Sequence, residues 1–392
     1  MRLSVVLLLM SSLLLGCSNS ANKDDKPNEL LPLNKQVLAQ KRWRATVGSG
    51  LGKVYRVMPP AIDSSSVYAS DYRGRVFAFD KDSGKQRWRK SLRMALAAGV
   101  SARGDQVLVA SLDGDIVALN KSTGEINWQV NVTSEILAPP QTNGPVVVVQ
   151  TNDGKLLGLD SKDGKTLWTY STQLPVLTLR GTAAPQVLGP NVVAGFANGK
   201  IAALSAVDGT LYWERRVARP QGRSDIERVV DIDGTPIVDG STIYTTSYNG
   251  TLSALSPRGQ ILWSQPTSSH NSPLVIDGTV FVTSAEGRVE AFDARTGRFL
   301  WENIALFGRK LSAPQNLSGF LVTADYQGYV HIFDPEVGVV LERIRIDRKG
   351  IRSPMVADGT HLYVLGNDGK LASIAVYLGV LQATPTKPEK DS

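Results

Sequence analysis

Asp113-Gly114-Asp115 places two carboxylates on either side of a glycine, the kind of acidic turn that holds a calcium ion when further oxygen ligands follow. Taken alone, LDGDIVALNKSTGEINW, residues 112–128, could be such a loop. Few other residues offer chemistry. His270, His331 and His361 have no metal-ligand spacing and read as surface or strand residues. Cys17 is the single cysteine, which leaves no internal disulfide, no multi-cysteine metal site and, once Cys17 is modified, no thiol catalysis.

The rest of the chain turns this candidate loop into a building unit. Similar segments end at Trp88, Trp168, Trp213, Trp263 and Trp301, another ends at Glu342 where Trp is expected, and NDGKLASIAV breaks off near the C-terminus. A calcium loop does not recur in eight copies. The turn glycines are Gly74, Gly114, Gly154, Gly199, Gly250, Gly287, Gly328 and Gly369. Fourteen residues before most of them stands a proline, as at Pro60, Pro140, Pro185, Pro236, Pro273 and Pro314, and fourteen after most stands the tryptophan.

Between these marks run β-branched and apolar stretches such as VVVVQ (146–150), joined by Asp-Gly and Asn-Gly turns whose positive φ suits tight hairpins. No stretch sustains a 3.6-residue period. A repeat of roughly 40 residues with about four short strands is a propeller blade, which must stack on its neighbours to bury both faces. The expected fold is all-β, an eight-bladed β-propeller of four-stranded blades over residues 41–378. The last copy lacks its Trp strand, and the one tryptophan left over is Trp43, so an N-terminal strand should close the ring. Trp43, Trp88, Trp128, Trp168, Trp213, Trp263 and Trp301 are then structural docking residues, each worth about 3–5 kcal/mol on truncation to Ala. Glu342 should weaken one junction.

Residues 1–16 read as a signal peptide: Arg2 precedes an apolar run, Leu3 to Leu15, too short for a mature membrane span. Leu14-Leu15-Gly16-Cys17 resembles the bacterial lipobox, which implies lipidation of Cys17 and a membrane anchor of several acyl chains. Ser18 rather than Asp follows the cysteine, which in bacterial lipoproteins implies the periplasmic face of the outer membrane. Residues 17–40 are expected to be a flexible tether; the stretch Ser18 to Gln40 would span about 25–30 Å r.m.s.. Residues 379–392 should be a disordered tail. The sequons at Asn131 and Asn249 carry no chemistry in a bacterial lipoprotein. A net charge of +7 is scattered rather than clustered, so it indicates a basic solvated surface and no nucleic-acid partner.

The spacing D-x-x-x-G-x-x-x-W, as in Asp80 to Trp88 and Asp160 to Trp168, resembles the docking motif of pyrroloquinoline quinone dehydrogenases. That likeness implies the fold. In those enzymes the quinone sits against a vicinal disulfide and a Ca²⁺ ion, whereas this chain has one cysteine and no extra length for such a site. A quinone-binding oxidoreductase or sensor is therefore the rival reading, and no enzyme activity, catalytic residue, metal or cofactor is expected.

Function should lie where the repeat spacing breaks. From each Trp position to the next Pro position the gaps are 17 for 43–60, 12, 12, 17 for 168–185, 23 for 213–236, 10, 13 and 12. The two long internal connectors flank one blade and so should be neighbours. The first carries Leu174, Val176, Leu177, Leu179 and Arg180; the second carries Arg223, Asp225, Glu227, Arg228, Asp231 and Asp233. With lipobox and ring, LPVLTLRG and DIERVVDIDGTP resemble the BamB family, the propeller lipoproteins of the outer-membrane β-barrel assembly machinery. The resemblance implies a scaffold that binds the periplasmic POTRA domains of BamA within the Bam complex, and leaves room for contact with unfolded outer-membrane protein precursors. It places partner contacts on Leu177, Leu179, Arg180, Asp231 and Asp233. The same residues could instead pack inward, with the leucines under the loop and Arg180 paired to Asp231 or Asp233. The short connector Ala305 to Lys310 is expected to tolerate charge reversal.

Overall fold

A computed structural model describes residues 26–181 and 183–378. Cys17, the signal segment 1–16 and the tail 379–392 lie outside the described residues. The described residues form eight antiparallel four-stranded sheets, seven of them in sequence order within blades 61–91, 101–131, 141–171, 186–216, 237–266, 274–303 and 315–345. The eighth sheet takes three strands from the C-terminal end and its outer strand, Val37–Thr46, from the N-terminal end, pairing antiparallel with Lys370–Leu378. The closing strand predicted around Trp43 is thus present. It begins at Val37, four residues earlier than the boundary drawn at 41, because Val37 and Ala39 alternate inward onto the core that blades seven and eight share.

The middle two strands of each blade are buried on both faces, which is why Val146–Gln150 reads as a continuous β-branched run rather than an alternation. Outer strands alternate. Opposite every docking position the register slips by one residue, as between Ala78, paired with Trp88, and Phe79, paired with Gln86. The bulge leaves one residue unpaired and turns the indole toward the next blade. There the Trp Nε1 donates to a carbonyl of the neighbour's second turn: Trp43 to Lys81 at 2.8 Å, Trp88 to Lys121 at 2.9 Å, Trp128 to Ser161 at 2.7 Å. Trp168, Trp213, Trp263 and Trp301 repeat the bond on Ala206, Pro257, Ala294 and Pro335. The ring face lies against that turn's glycine. A Cβ on Gly84 would stand 2.6 Å from the Trp43 ring, and Gly84 has φ +69°. The turn is therefore glycine for two independent reasons.

Glu342, where a docking Trp is expected, follows from this arrangement. Blade eight is assembled from the two chain ends, so it has no second turn and offers no glycine on which a Trp could sit. Glu342 is buried and instead pairs with Lys35 at 3.1 Å. Lys35 belongs to a stretch expected to be free tether. Within 26–36 the chain is docked: Asn28 N donates to Phe307 O at 3.0 Å, Gln36 N donates to Leu341 O at 3.0 Å, and Leu30 packs on the cluster of blades six and seven. Arg309, buried and paired with Asp325 at 2.7 Å, donates to Asn28 O at 2.9 Å. The short connector 305–310 is thus a poor neutral control, because its arginine holds the N-terminal segment and sits in a charge cluster with fully buried His331.

Candidate functional site

In an antiparallel meander the turn between strands two and three lies on the same face as the connector from strand four to the next blade. Gly154 accordingly meets Leu174, and Gly199 meets Ala218 and Val230. Both long connectors therefore emerge on one face, side by side around blade four. They are joined directly: Ala184 N donates to Thr235 Oγ1 at 3.1 Å, and Leu179 N donates to the Asp231 carboxylate. Asn198, in the turn of blade four, donates to Thr172 Oγ1 at 3.1 Å and Gln173 O at 2.8 Å, which fixes the base of the first connector.

This framework holds the LTLR segment out from the ring. Leu177 and Leu179 are each 45% exposed and Val176 is fully exposed, while Leu174 packs inward on the core of blades three and four. Arg180 takes φ +60°, a left-handed conformation that costs a non-glycine residue about 1–2 kcal/mol and so requires other bonds to hold it. Those bonds are the Leu179 N donation to Asp231 on one side and a bidentate pair on the other, Arg180 Nη2 to Glu135 Oε1 at 2.8 Å and Oε2 at 2.7 Å. Neither Asp231 nor Asp233 is the partner of Arg180. The arginine reaches back to the connector between blades two and three, because the ring curves that connector toward it.

Asp231 and Asp233 are 0% and 7% exposed, well below the 45% of Leu177 and Leu179. Oδ1 of each has no hydrogen-bond partner among the described residues. Burial pushes Asp231 up to about 6, against the opposing effect of the Leu179 N–H. Burial pushes Asp233 up to about 7, with the charge of Asp231 adding to it. Their place is beneath the LTLR segment. The remainder of the second connector forms a small turn in which Glu227 Oε2 accepts from Arg223 N and Ser224 N at 2.6 and 3.2 Å, leaving Ile226 exposed.

Of the predicted contacts, Leu177, Leu179 and Arg180 are thus brought to the surface together, and Asp231 and Asp233 are brought under them. Glu135 escaped the sequence reading, having nothing to mark it in a connector of ordinary length. Val54 and Tyr55, also exposed on this face, did have a signal: their connector, 43–60, is as long as 168–185. The Asp113-Gly114-Asp115 loop is structural. Asp115 accepts from Ser111 Oγ at 3.1 Å and from Asn131 Nδ2 at 3.2 Å.

Residues 72–303 match the family described as outer membrane protein assembly factor BamB. The chain is 46% identical to outer membrane protein assembly factor BamB of Pseudomonas aeruginosa, across 94% of this chain and 98% of that one. It is 33% identical to the protein of that name from Escherichia coli K12, across 94% and 97%. The crystal structure of BamB from Moraxella catarrhalis superposes with a TM-score of 0.80 at 28% identity, covering 86% of this chain and all of that one. A europium-containing methanol dehydrogenase, at 14% identity and a TM-score of 0.71 over 86% of this chain and 93% of its own, shares the fold alone.

Proposed function

The chain belongs to the BamB family of outer membrane protein assembly factors, and from that premise we propose that it is a non-enzymatic scaffold of the Bam complex that binds the periplasmic POTRA domains of BamA. It works at the periplasmic face of the outer membrane, anchored through lipidated Cys17, and supports the folding and insertion of outer-membrane proteins. Binding there raises the local concentration of the machinery and presents a rigid face to it.

The observation that carries this reading is the weld between the two long connectors. Leu179 N–H bonded to Asp231, and Arg180 bonded to Glu135, hold apolar side chains in water at fixed positions. Ordering such a loop costs free energy on binding, and here the ring has already met that cost. Exposed leucines on a stiff support are what a docking surface needs. Leu177, Leu179 and Arg180 then touch the partner, while Asp231 and Asp233 position them. The names of the two relatives above, both assembly factors, favour this scaffold over the quinone-dependent alternative.

The test is binding of purified POTRA domains by calorimetry. Leu177→Glu places an unpaired charge in the interface and Arg180→Glu sets a carboxylate against Glu135. Each should weaken binding by several kcal/mol while changing folding stability by about 1 kcal/mol or less. Asp231→Ala should weaken binding through loop motion, visible as faster proteolysis of the 172–185 segment in the free protein. If the Leu177 and Arg180 variants bind as wild type with circular dichroism unchanged, the site is misplaced.

A further inference from the structure

Leu179 and Arg180 line a cleft of about 630 Å³ at the mouth of the central channel, and the facing side of that cleft is lined by Val54 and Tyr55. Leu112 and Leu137 extend its apolar wall, and Asp233 lies in its lining with no partner for Oδ1 among the described residues. Val54 is 61% and Tyr55 66% exposed.

These two side chains sit on a stiff loop. Arg352 Nη2 donates to the carbonyls of Leu51 and Gly52, both at 3.1 Å, and of Val54 at 3.3 Å, and its guanidinium lies 5.6 Å from the centre of the Tyr55 ring. Ser49 N donates to Asp71 Oδ2 at 2.8 Å, and Leu51 N to Asn367 O at 3.0 Å. The loop is therefore anchored to blades one and eight at once. An aromatic ring held this firmly at a surface supplies contact area with little ordering cost.

We propose that the connector 47–60 is the second half of the docking surface: Val54 and Tyr55 grip the same periplasmic domain that meets Leu177, Leu179 and Arg180, with an apolar edge of that domain seated in the cleft between them. This rests on the proposed function above. Three features define the occupant. The cleft is continuous with the LTLR surface through Leu179, so a body resting on Leu177 and Leu179 covers it. Its volume exceeds that of any one side chain, which calls for two or three aliphatic or aromatic residues on a turn or strand edge. Half-buried Arg56 lines the cleft beside Tyr55 and gives its border a positive charge, which suits an acidic residue beside that edge.

Calorimetry with purified BamA POTRA domains tests this with Val54→Glu, Tyr55→Ala and Tyr55→Phe, alongside Leu177→Glu. Val54→Glu and Tyr55→Ala should each lose roughly tenfold or more in affinity with melting unchanged, and Tyr55→Phe should bind as wild type. In a cycle of Tyr55→Ala with Leu179→Ala, sharing one guest should make the losses non-additive by roughly threefold or more. If Leu177→Glu weakens binding and the Val54 and Tyr55 variants do not, the second wall is refuted and the site on LTLR stands. If none weakens binding, both fall. Strictly additive losses would overturn the shared cleft. So would sedimentation showing that Val54→Glu abolishes self-association of the wild-type chain, since the cleft would then seat a second copy. Should Tyr55→Ala fail to fold, Val54→Glu decides alone.

Discussion

Replacing Asp233 by Asn should stabilise the ring by about 4 kcal/mol at pH 8 and by less than half of that at pH 5. Asp233 is buried beside Asp231, and its carboxyl is pushed up to about 7 from an ordinary value of 3.8, by burial first and then by the charge of Asp231. The folded state therefore holds this proton more tightly than the unfolded chain does. For such a group the stability contribution is fully present below the ordinary carboxylate range. It falls as pH rises from about 4, and it is gone once pH passes about 7. A rise from 3.8 to about 7 corresponds to about 4 kcal/mol. Asp231, pushed up to about 6, adds about 3 kcal/mol by the same relation, but the two do not sum, because part of the Asp233 shift is the Asp231 charge. Asn keeps the shape and cannot ionise. Urea unfolding of wild type and Asp233→Asn at pH 5, 6, 7 and 8 should thus show the variant gaining on wild type by a few kcal/mol across the series. Burial lowers His270, in the same channel mouth, which makes stability rise with pH; because His270 is common to both proteins it cancels in their difference. A difference that stays constant from pH 5 to 8 would refute the claim that Asp233 is buried without a counter-charge.

The tryptophan seats predict a contrast between two glycines. Gly84 (φ +69°) faces the Trp43 ring, and Gly104 (φ +61°) has nothing near its would-be Cβ, so both Ala variants share about 1–2 kcal/mol of backbone strain. Only Gly84→Ala adds overpacking, about 1–3 kcal/mol, which equal urea midpoints for the two variants would contradict. At the membrane, Cys17→Ala should move the protein into the soluble periplasmic fraction with its melting unchanged, and persistent palmitate labelling of the variant would rule out acylation at that cysteine.

The ring was legible because its determinants repeat and are local. A turn glycine answers to φ, a docking Trp answers to a bulge one residue away, and both recur at a fixed distance, so seven tryptophans and one interrupted copy were enough to place the closing strand. The exception at Glu342 could have been read by the same logic. A blade closed by two chain ends has no second turn, hence no glycine seat and no need of a tryptophan. The site was legible only in part. Spacing located the connectors around blade four and the apolar character of LTLR marked its exposed residues, yet spacing measures length and not load. It could not say that Arg180 would find Glu135, because that pair depends on how the ring curves one connector over another. Nor could it distinguish a carboxylate that meets a partner from one that supports the loop from below, since Asp231 and Asp233 have the same composition in either role and differ only in burial. The connector 305–310 makes the same point in reverse. It is short and reads as inert, but Arg309 there is buried on Asp325 and holds Asn28, so the N-terminal segment leaves the ring on the connector face, the face that carries Leu177, Leu179 and Arg180. Under the proposed function, an anchor at Cys17 would then pull on the face that carries Leu177, Leu179 and Arg180. The N-terminal segment and the LTLR surface thus share one face through a contact between residues 281 positions apart, which no local pattern in the sequence announces.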